Sequence, residues 1–221
     1  MSRTPNFDHL AGIYRWLEFA SFGGALGRCR CHFLSELNQC RRAVVLGDGD
    51  GRFTAQLLKT NRDIQVDAVD ASAAMLRALL HRAGGDRGRV RTYCSDVRDW
   101  EPEALGYDLV VSHFFLDCLT TREVGALASR VRTRVLPNAK WLISEFAVSE
   151  DGFGKAVARP VVSGLYAAFG LLTGLQTRRL PDYRQELEKE SFICDARQEL
   201  LHGLLVSELW SKGAPELSHS C

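Results

Sequence analysis

An apolar run that breaks into three alternating glycines constrains this chain more than any other feature. Residues 44–53 read V-V-L-G-D-G-D-G-R-F. The apolar residues predict a buried strand. The glycines predict a tight turn after it, because they tolerate φ values that a Cβ penalises and let the backbone approach a ligand closely. Helical patterning over 53–60 completes a strand, a binding turn and a helix.

An acidic residue follows the next predicted strand. Residues 64–69 are mostly apolar, and Asp70 comes directly after them, about twenty residues beyond the glycines. A carboxylate at the carboxyl end of a strand can accept hydrogen bonds from both hydroxyls of a ribose. The spacing of turn and acid therefore predicts a site for a nucleoside-containing ligand.

The third glycine and two acids narrow the kind of ligand. A dinucleotide fingerprint, G-x-G-x-x-G, would need glycine at Arg52, whereas the chain has Gly51. Asp48 and Asp50 lie within the turn, where they disfavour a phosphate and favour a cation. S-adenosylmethionine is a nucleoside with a positive sulfonium and no phosphate, so it fits this pattern better than a dinucleotide does.

Four segments in order resemble the motifs of the class I S-adenosylmethionine-dependent methyltransferases. They are Leu46–Gly51 (glycine-rich turn), Val69–Ser72 (ribose segment), Cys94–Val97 (adenine segment) and Tyr107–Ser112 (fourth strand). The resemblance covers roughly the first two-thirds of the chain. One departure is Val45, which stands where the family usually has an acid. The resemblance implies S-adenosyl-L-methionine as the cofactor and methyl transfer as the reaction.

The fold expected for the chain is α/β: a Rossmann-like, seven-stranded, mostly parallel sheet with an antiparallel edge strand, helices on both faces and an N-terminal helical extension. Alternating apolar runs and helical patterns support it. Strands are predicted near 43–46, 64–69, 90–94, 109–112, 140–146, 192–199 and 204–210. Helices are predicted over 7–19, 24–37, 53–60, 73–82 and 122–135.

The resemblance also assigns residues to the donor. The glycine-rich turn (Gly47, Asp48, Gly49, Gly51) would hold the methionine end and Asp70 the ribose. Asp96 would accept from the adenine amine, with Val97 supplying a backbone N–H. Ser72 is better placed than Asp70 to cap the helix over 73–82, and Ala71 and Met75 would pack near the adenine. Tyr14, in an aromatic N-terminal segment, is a further candidate donor contact.

Methyl transfer asks mainly for alignment and exclusion of water, with a base needed only when the acceptor carries a proton of high pKa. His113 follows the fourth strand next to the donor, and Asp117 would orient it if this stretch is helical. Glu145, an acid in a predicted buried strand, is the second catalytic candidate. Phe114 and Phe115 would shape an apolar acceptor pocket or belong to the core.

The predicted acceptor is a hydrophobic or aromatic small molecule. The opening F-D-H-L-A-G-I-Y of residues 7–14 is similar to that of ubiquinone and menaquinone biosynthesis C-methyltransferases. Residues 161–175 carry no charge and are too few to span a bilayer. The segment 156–175 is interpreted as an acceptor lid, as a peripheral membrane or homodimer contact, or as a plain sheet-covering helix.

Length and composition fit one domain over residues 1–221, with a helical cap (1–40), a cofactor-binding core (41–150), substrate-covering helices (151–190) and a C-terminal hairpin (191–221). The net charge of +1 argues against nucleic acid as a partner. Seven cysteines and no signal-like N-terminus predict a cytoplasmic location. Cys29, Cys31, His32 and Cys40 lack the paired halves of a zinc site, so no metal is expected.

Two other functions remain open at this stage. A relative that does not methylate, and that binds S-adenosylmethionine as a module or uses it for another reaction, would explain Val45 and the acidic turn. A nicotinamide-dependent oxidoreductase is disfavoured by Arg52 and by the acids of the turn.

Overall fold

The computed structural model describes residues 24–102, 105–147 and 181–213. Its helices are α1 (Ala25–Arg30), α2 (Arg52–Thr60), α3 (Ala73–Ala83), α4 (Thr121–Arg132) and α5 (Tyr183–Lys189). Its strands are β1 (Arg42–Leu46), β2 (Gln65–Asp70), β3 (Val90–Cys94), β4 (Tyr107–His113), β5 (Val135–Phe146), β6 (Phe192–Leu200) and β7 (Leu205–Lys212). Short 3-10 helices span Leu34–Leu37, Gly84–Arg89 and Leu116–Cys118.

The seven strands form one sheet in the order β3-β2-β1-β4-β5-β7-β6. Strands β1 to β5 are parallel, whereas β7 pairs antiparallel with both β5 and β6. The predicted Rossmann-like sheet is confirmed, and its last strand pair is the predicted hairpin. Strand β7 lies between β5 and β6, so the edge strand on this side of the sheet is β6, and it runs antiparallel to β7.

The central strands are buried on both faces, which is why they appear in the sequence as short continuous apolar runs. Successive residues of β1 enter opposite cores: Val44 and Leu46 pack into one cluster, and Ala43 and Val45 into the other. The helices cover these two faces with their apolar sides. The parallel sheet therefore places the carboxyl ends of β1 to β5 along one edge, where ligands of such folds bind.

The predicted helix over 24–37 is wrong. Helix α1 ends at Arg30, and the chain turns before a 3-10 helix begins at Leu34. The break lets two apolar sets reach different clusters: Leu26 and Cys29 pack with Leu205, whereas Leu37 enters the core beneath β1. One straight helix would hold both sets on a single face.

Two other boundaries also differ from the prediction. Strand β5 begins at Val135 rather than near Lys140, and α4 ends at Arg132. The register of β5 against β4 shifts between the pair Tyr107–Val135 and the pair Leu109–Lys140, so β5 has more residues than β4 over this stretch. Asn138, within the stretch, has φ +61°. The apolar pattern is interrupted by this irregularity, so the sequence indicated only the second half of the strand.

Several expectations fall on residues outside the described ranges. These are the helix over 7–19 with Tyr14, and the segment 156–175 with its lid, membrane or dimer roles. Within the described ranges, no helix has the length and apolar character needed to cross a bilayer, and no group of His, Cys, Asp and Glu is arranged to hold a metal ion.

Candidate donor and active site

The glycine-rich turn lies at the carboxyl end of β1 and is bonded to the neighbouring strand. Gly47 N–H donates to the Val69 carbonyl at 2.9 Å, and Gly47 has φ +66°. A Cβ on Gly47 would lie 2.2 Å from the Phe115 ring. Glycine is therefore required here both by backbone conformation and by the close approach of an aromatic side chain.

Asp48 caps the helix that follows the turn. Its carboxylate accepts from the N–H of Thr54 at 2.8 Å, from the Thr54 hydroxyl at 2.7 Å and from the N–H of Phe53 at 3.4 Å. Burial raises the pKa of this carboxyl, while these bonds act in the opposite direction. The side chain satisfies N–H groups that the first turn of α2 leaves without partners.

Asp50 forms ion pairs within the chain. Its carboxylate lies 2.7 Å from Nη2 of Arg82 and 3.3 Å from Nε of Arg52. Both acids of the turn are thus engaged by groups of this protein. Their attraction for a cationic ligand, which the sequence suggested, is correspondingly reduced.

Asp70 ends β2 beside the glycine-rich turn. Its Oδ1 accepts from the N–H of Ser72 at 2.8 Å, and the N–H of Gly49 also bonds this carboxyl. Burial raises the pKa of Asp70, opposed by these two N–H groups. Ser72 caps α3 by accepting from the N–H of Met75 at 3.3 Å. The predicted capping role of Ser72 is confirmed, and the ribose-binding role of Asp70 stays a prediction.

Of the predicted adenine residues, Asp96 and Val97 lie in the turn that follows β3, and Met75 lies on α3. Asp96 follows β3 and forms an ion pair with Arg98 at 3.0 Å, and Arg98 also pairs with Glu123 at 2.7 Å. Val97 is buried in the core beneath the sheet. Met75 Sδ lies 3.9 Å from the point that a Cβ on Gly49 would occupy, so this thioether packs over the glycine-rich turn.

Ala71 is exposed at the start of the turn that leads from β2 to α3. The thiol of Cys94, at the end of β3, lies 3.8 Å from its carbonyl. The structure thus brings together the glycine-rich turn, Asp70 with Ala71, and the end of β3. These are the groups that sequence reasoning assigned to the donor.

His113 is buried at the end of β4, where it is 4% exposed. Its Nδ1 lies 2.9 Å from Ser144 Oγ, which lies 3.3 Å from the Cys29 carbonyl oxygen. Ser144 Oγ also lies 3.5 Å from Ser207 Oγ, and which group donates in the His113–Ser144 bond depends on the tautomer of the imidazole. Nε2 has no hydrogen-bond partner among the described residues. Burial, with a smaller effect of Arg30, lowers the His113 pKa well below 6.5.

Asp117 does not lie on a helical continuation of β4, as its suggested role required. Residues 116–118 form a single 3-10 turn, and the partner that the structure gives His113 Nδ1 is Ser144. Asp117 instead lies near Glu145, where its charge contributes to a raised Glu145 pKa.

Glu145 is a buried acid near the end of β5. Its Oε1 accepts from the N–H of Leu116 at 2.8 Å and from the N–H of Phe115 at 3.1 Å. Burial, and next the charge of Asp117, raise the pKa of Glu145 well above 4.5. The side chain thus joins β5 to the segment that follows β4.

The ring that contacts His113 is Phe53, with centroids 4.4 Å apart, and Phe114 and Phe146 form a separate aromatic pair. The rings of Phe114 and Phe146 are 5.0 Å apart, and the guanidinium of Arg30 lies 5.2 Å from the Phe114 centroid. Phe114 has φ +52°, an unusual conformation for an aromatic residue. We call Arg30, Phe114 and Phe146 the aromatic wall. Sequence reasoning missed Arg30 and Arg98 because their contacts are long-range and no local motif marks them.

Sheet order, glycine-rich turn and strand-end acids together define the class I S-adenosylmethionine-dependent methyltransferase fold. Comparison with known proteins agrees. Residues 43–138 match the family model described as a methyltransferase domain. Curated relatives include trans-aconitate 2-methyltransferase of Rhodococcus jostii, 31% identical over 66% of this chain and 54% of that protein. N-terminal Xaa-Pro-Lys N-methyltransferase 1 of Rattus norvegicus is 27% identical over 65% of each chain.

Solved structures share the fold at low identity. The mitomycin 7-O-methyltransferase MmcR matches with a TM-score of 0.70 and 15% identity over 94% of this chain and 60% of its own. The N-methyltransferase NodS of Bradyrhizobium japonicum matches with a TM-score of 0.58 and 12% identity over 86% of this chain and 97% of its own.

The match to the methyltransferase-domain model, the curated relatives and the shared fold support a class I S-adenosylmethionine-dependent methyltransferase, which implies S-adenosyl-L-methionine as the cofactor. It spans about half to two-thirds of the length of the curated relatives it matches.

Proposed function

We propose that the protein transfers the methyl group of S-adenosylmethionine to a hydrophobic or aromatic small molecule. The observation that carries the proposal is the Asp70 carboxylate beside the glycine-rich turn. The Ser72 N–H donates to its Oδ1 at 2.8 Å and the Gly49 N–H also bonds this carboxyl, and a carboxylate has further lone pairs for ribose hydroxyls. The residues present therefore fit the cofactor.

Bound S-adenosylmethionine supplies an electrophilic methyl group on a sulfonium, and transfer needs only an aligned nucleophile. The protein's part is to orient the two reactants and exclude water. Asp70 and the glycine-rich turn would hold the donor, with Asp96 beside the adenine. His113, at the end of the strand next to the turn, would meet the acceptor.

His113 is the best candidate for a base. We propose the tautomer in which Nδ1 donates to Ser144 Oγ, which leaves on Nε2 the lone pair that an acid–base role needs. Burial keeps the imidazole neutral near pH 7, which preserves this lone pair but also makes it a weak base. We therefore propose that His113 accepts a hydrogen bond from an acidic acceptor hydroxyl, and takes its proton as the nucleophile attacks.

The aromatic wall supports an aromatic acceptor. Phe114, the residue after His113, forms an aromatic pair with Phe146, and Arg30 adds a positive charge close to the Phe114 ring. The relatives suggest two competing acceptor classes, because one is named for trans-aconitate and the other for an N-terminal peptide. Arg30 alone would suit a carboxylate, whereas two adjoining rings suit a flat apolar group better.

Donor binding is the first test, by calorimetric titration with S-adenosylmethionine. Asp70→Ala should weaken binding at least about tenfold, since a charge-assisted hydrogen bond contributes roughly 1.5–3 kcal/mol. Asp63→Asn is the matched control, because Asp63 is an exposed acid just before the other end of β2, paired with Arg41. Wild-type protein that binds no S-adenosylmethionine would refute the proposal.

Acceptor class is tested by transfer of a labelled methyl group. Phenols and hydroxyquinones, tricarboxylates and N-terminal peptides are offered as separate panels. Transfer to the aromatic panel, lost in His113→Ala with donor affinity retained, supports the proposal. Transfer to another panel alone would refute the acceptor class. Donor binding with no transfer to any panel favours the alternative, a relative that binds S-adenosylmethionine without methylating.

A further inference from the structure

The segment after β4 is fixed by a side chain from a different strand. We call residues Phe114–Cys118 the β4 loop. Glu145, on β5 and only 1% exposed, accepts the N–H groups of Phe115 and Leu116 on one carboxyl oxygen. Buried N–H groups without an acceptor are costly, so this carboxyl decides which conformation of the loop is stable.

The β4 loop presents its two phenylalanines to opposite sides. Phe114, with its positive φ, packs against Phe146 in the aromatic wall. Phe115 lies against Gly47, so closely that a Cβ there would overlap its ring. The bond from Glu145 is to the N–H of Phe115 itself. Glu145 therefore fixes the backbone of the same residue whose ring lies against Gly47, the first glycine of the glycine-rich turn.

We propose that Glu145 is a positioning residue for the donor site: by holding the β4 loop it keeps Phe115 against Gly47, and so sets the shape of the surface that receives S-adenosylmethionine. The inference rests on the proposed function. It replaces the catalytic role considered for Glu145 from the sequence. Oε1 accepts from the N–H groups of Phe115 and Leu116, and the N–H of Asp117 also bonds this carboxyl.

Two substitutions separate hydrogen bonding from charge. Glu145→Gln keeps an oxygen acceptor for both N–H groups, whereas Glu145→Ala removes it. We expect Glu145→Ala to weaken binding of S-adenosylmethionine about tenfold in calorimetric titration, and Glu145→Gln to stay within about threefold of wild type. Glu188→Gln, in an exposed acid of α5, controls for loss of a negative charge.

Coupling with Phe115 tests whether Glu145 acts through that ring. Phe115→Ala alone should also weaken donor binding, about tenfold. In the Phe115→Ala background, adding Glu145→Ala should change the affinity less than about twofold further. Leu136→Ala, in an exposed leucine of β5, is the truncation control.

A merely structural role would lower the midpoint of thermal unfolding in Glu145→Ala without this coupling. Independent, multiplying effects of the two substitutions on donor affinity would therefore overturn the inference, as would unchanged affinity in Phe115→Ala. That second result needs no Glu145 variant, so the test survives if Glu145→Ala does not fold. Failure of wild-type protein to bind donor is a different outcome, which refutes the proposed function instead.

Discussion

The contact between Phe115 and Gly47 makes a quantitative prediction for Gly47→Ala. Alanine at φ +66° costs roughly 1–2 kcal/mol, the penalty for an L-residue in a left-handed conformation. Its Cβ would also lie 2.2 Å from the Phe115 ring, and displacing a packed ring adds roughly 1–3 kcal/mol. We therefore expect Gly47→Ala to lower the free energy of unfolding by about 2–5 kcal/mol.

Gly49→Ala is the matched control, because it shares the strain but not the clash. Gly49 has φ +58°, and its nearest neighbour to a Cβ is Met75 Sδ at 3.9 Å, so only about 1–2 kcal/mol should be lost. Urea unfolding followed by tryptophan fluorescence gives both values. In a Phe115→Ala background the clash is absent, so Gly47→Ala should lower the free energy of unfolding by less than it does in the wild-type protein. Equal losses in the two single variants would refute the assigned packing of Phe115.

Three further substitutions test separate parts of the structure. Gly51→Ala should be at least as costly as Gly47→Ala, because its Cβ would meet the Leu79 backbone at 2.8 Å and a backbone cannot rotate away; urea unfolding measures this. Thr120→Ala removes a capping box and should cost about 1 kcal/mol, with Thr120→Ser restoring it. His113 has a lowered pKa in the folded protein, so the unfolded chain binds the proton first and stability falls as pH drops below about 6.5. His113→Asn should lessen that fall, seen by comparing urea midpoints at pH 7.5 and 5.5; an unchanged pH dependence would contradict it.

The sheet was predictable because parallel strands buried on both faces leave continuous apolar runs. The first helical region was not, because Leu26 and Leu37 have helical spacing in sequence yet enter different clusters. Spacing records which residues are apolar, and it does not record how many separate cores receive them.

Site residues with local partners were the predictable ones. Ser72 bonds the N–H of Met75, three residues along the chain, so its position just before the helix was enough to predict the cap. Asp48 also has a local role, in capping α2, but an electrostatic interpretation of the acidic turn concealed it. Arg30 and Phe115 act on residues far along the chain, and no local pattern marks such contacts.

The partner of His113 shows why the rest could not be predicted. The sequence suggested Asp117 as the partner, because a residue four positions on lies next to His113 in a helix. The partner is instead Ser144, which pairs with His113 in the register of β4 and β5. The next residue of β5, Glu145, bonds the loop that follows His113. The end of β5 thus contacts the candidate base His113 through Ser144, and it bonds the β4 loop, which carries Phe115, through Glu145. Under the proposed function, alignment of donor and acceptor would depend on the register of β4 against β5, and a shift in that register would disturb both together.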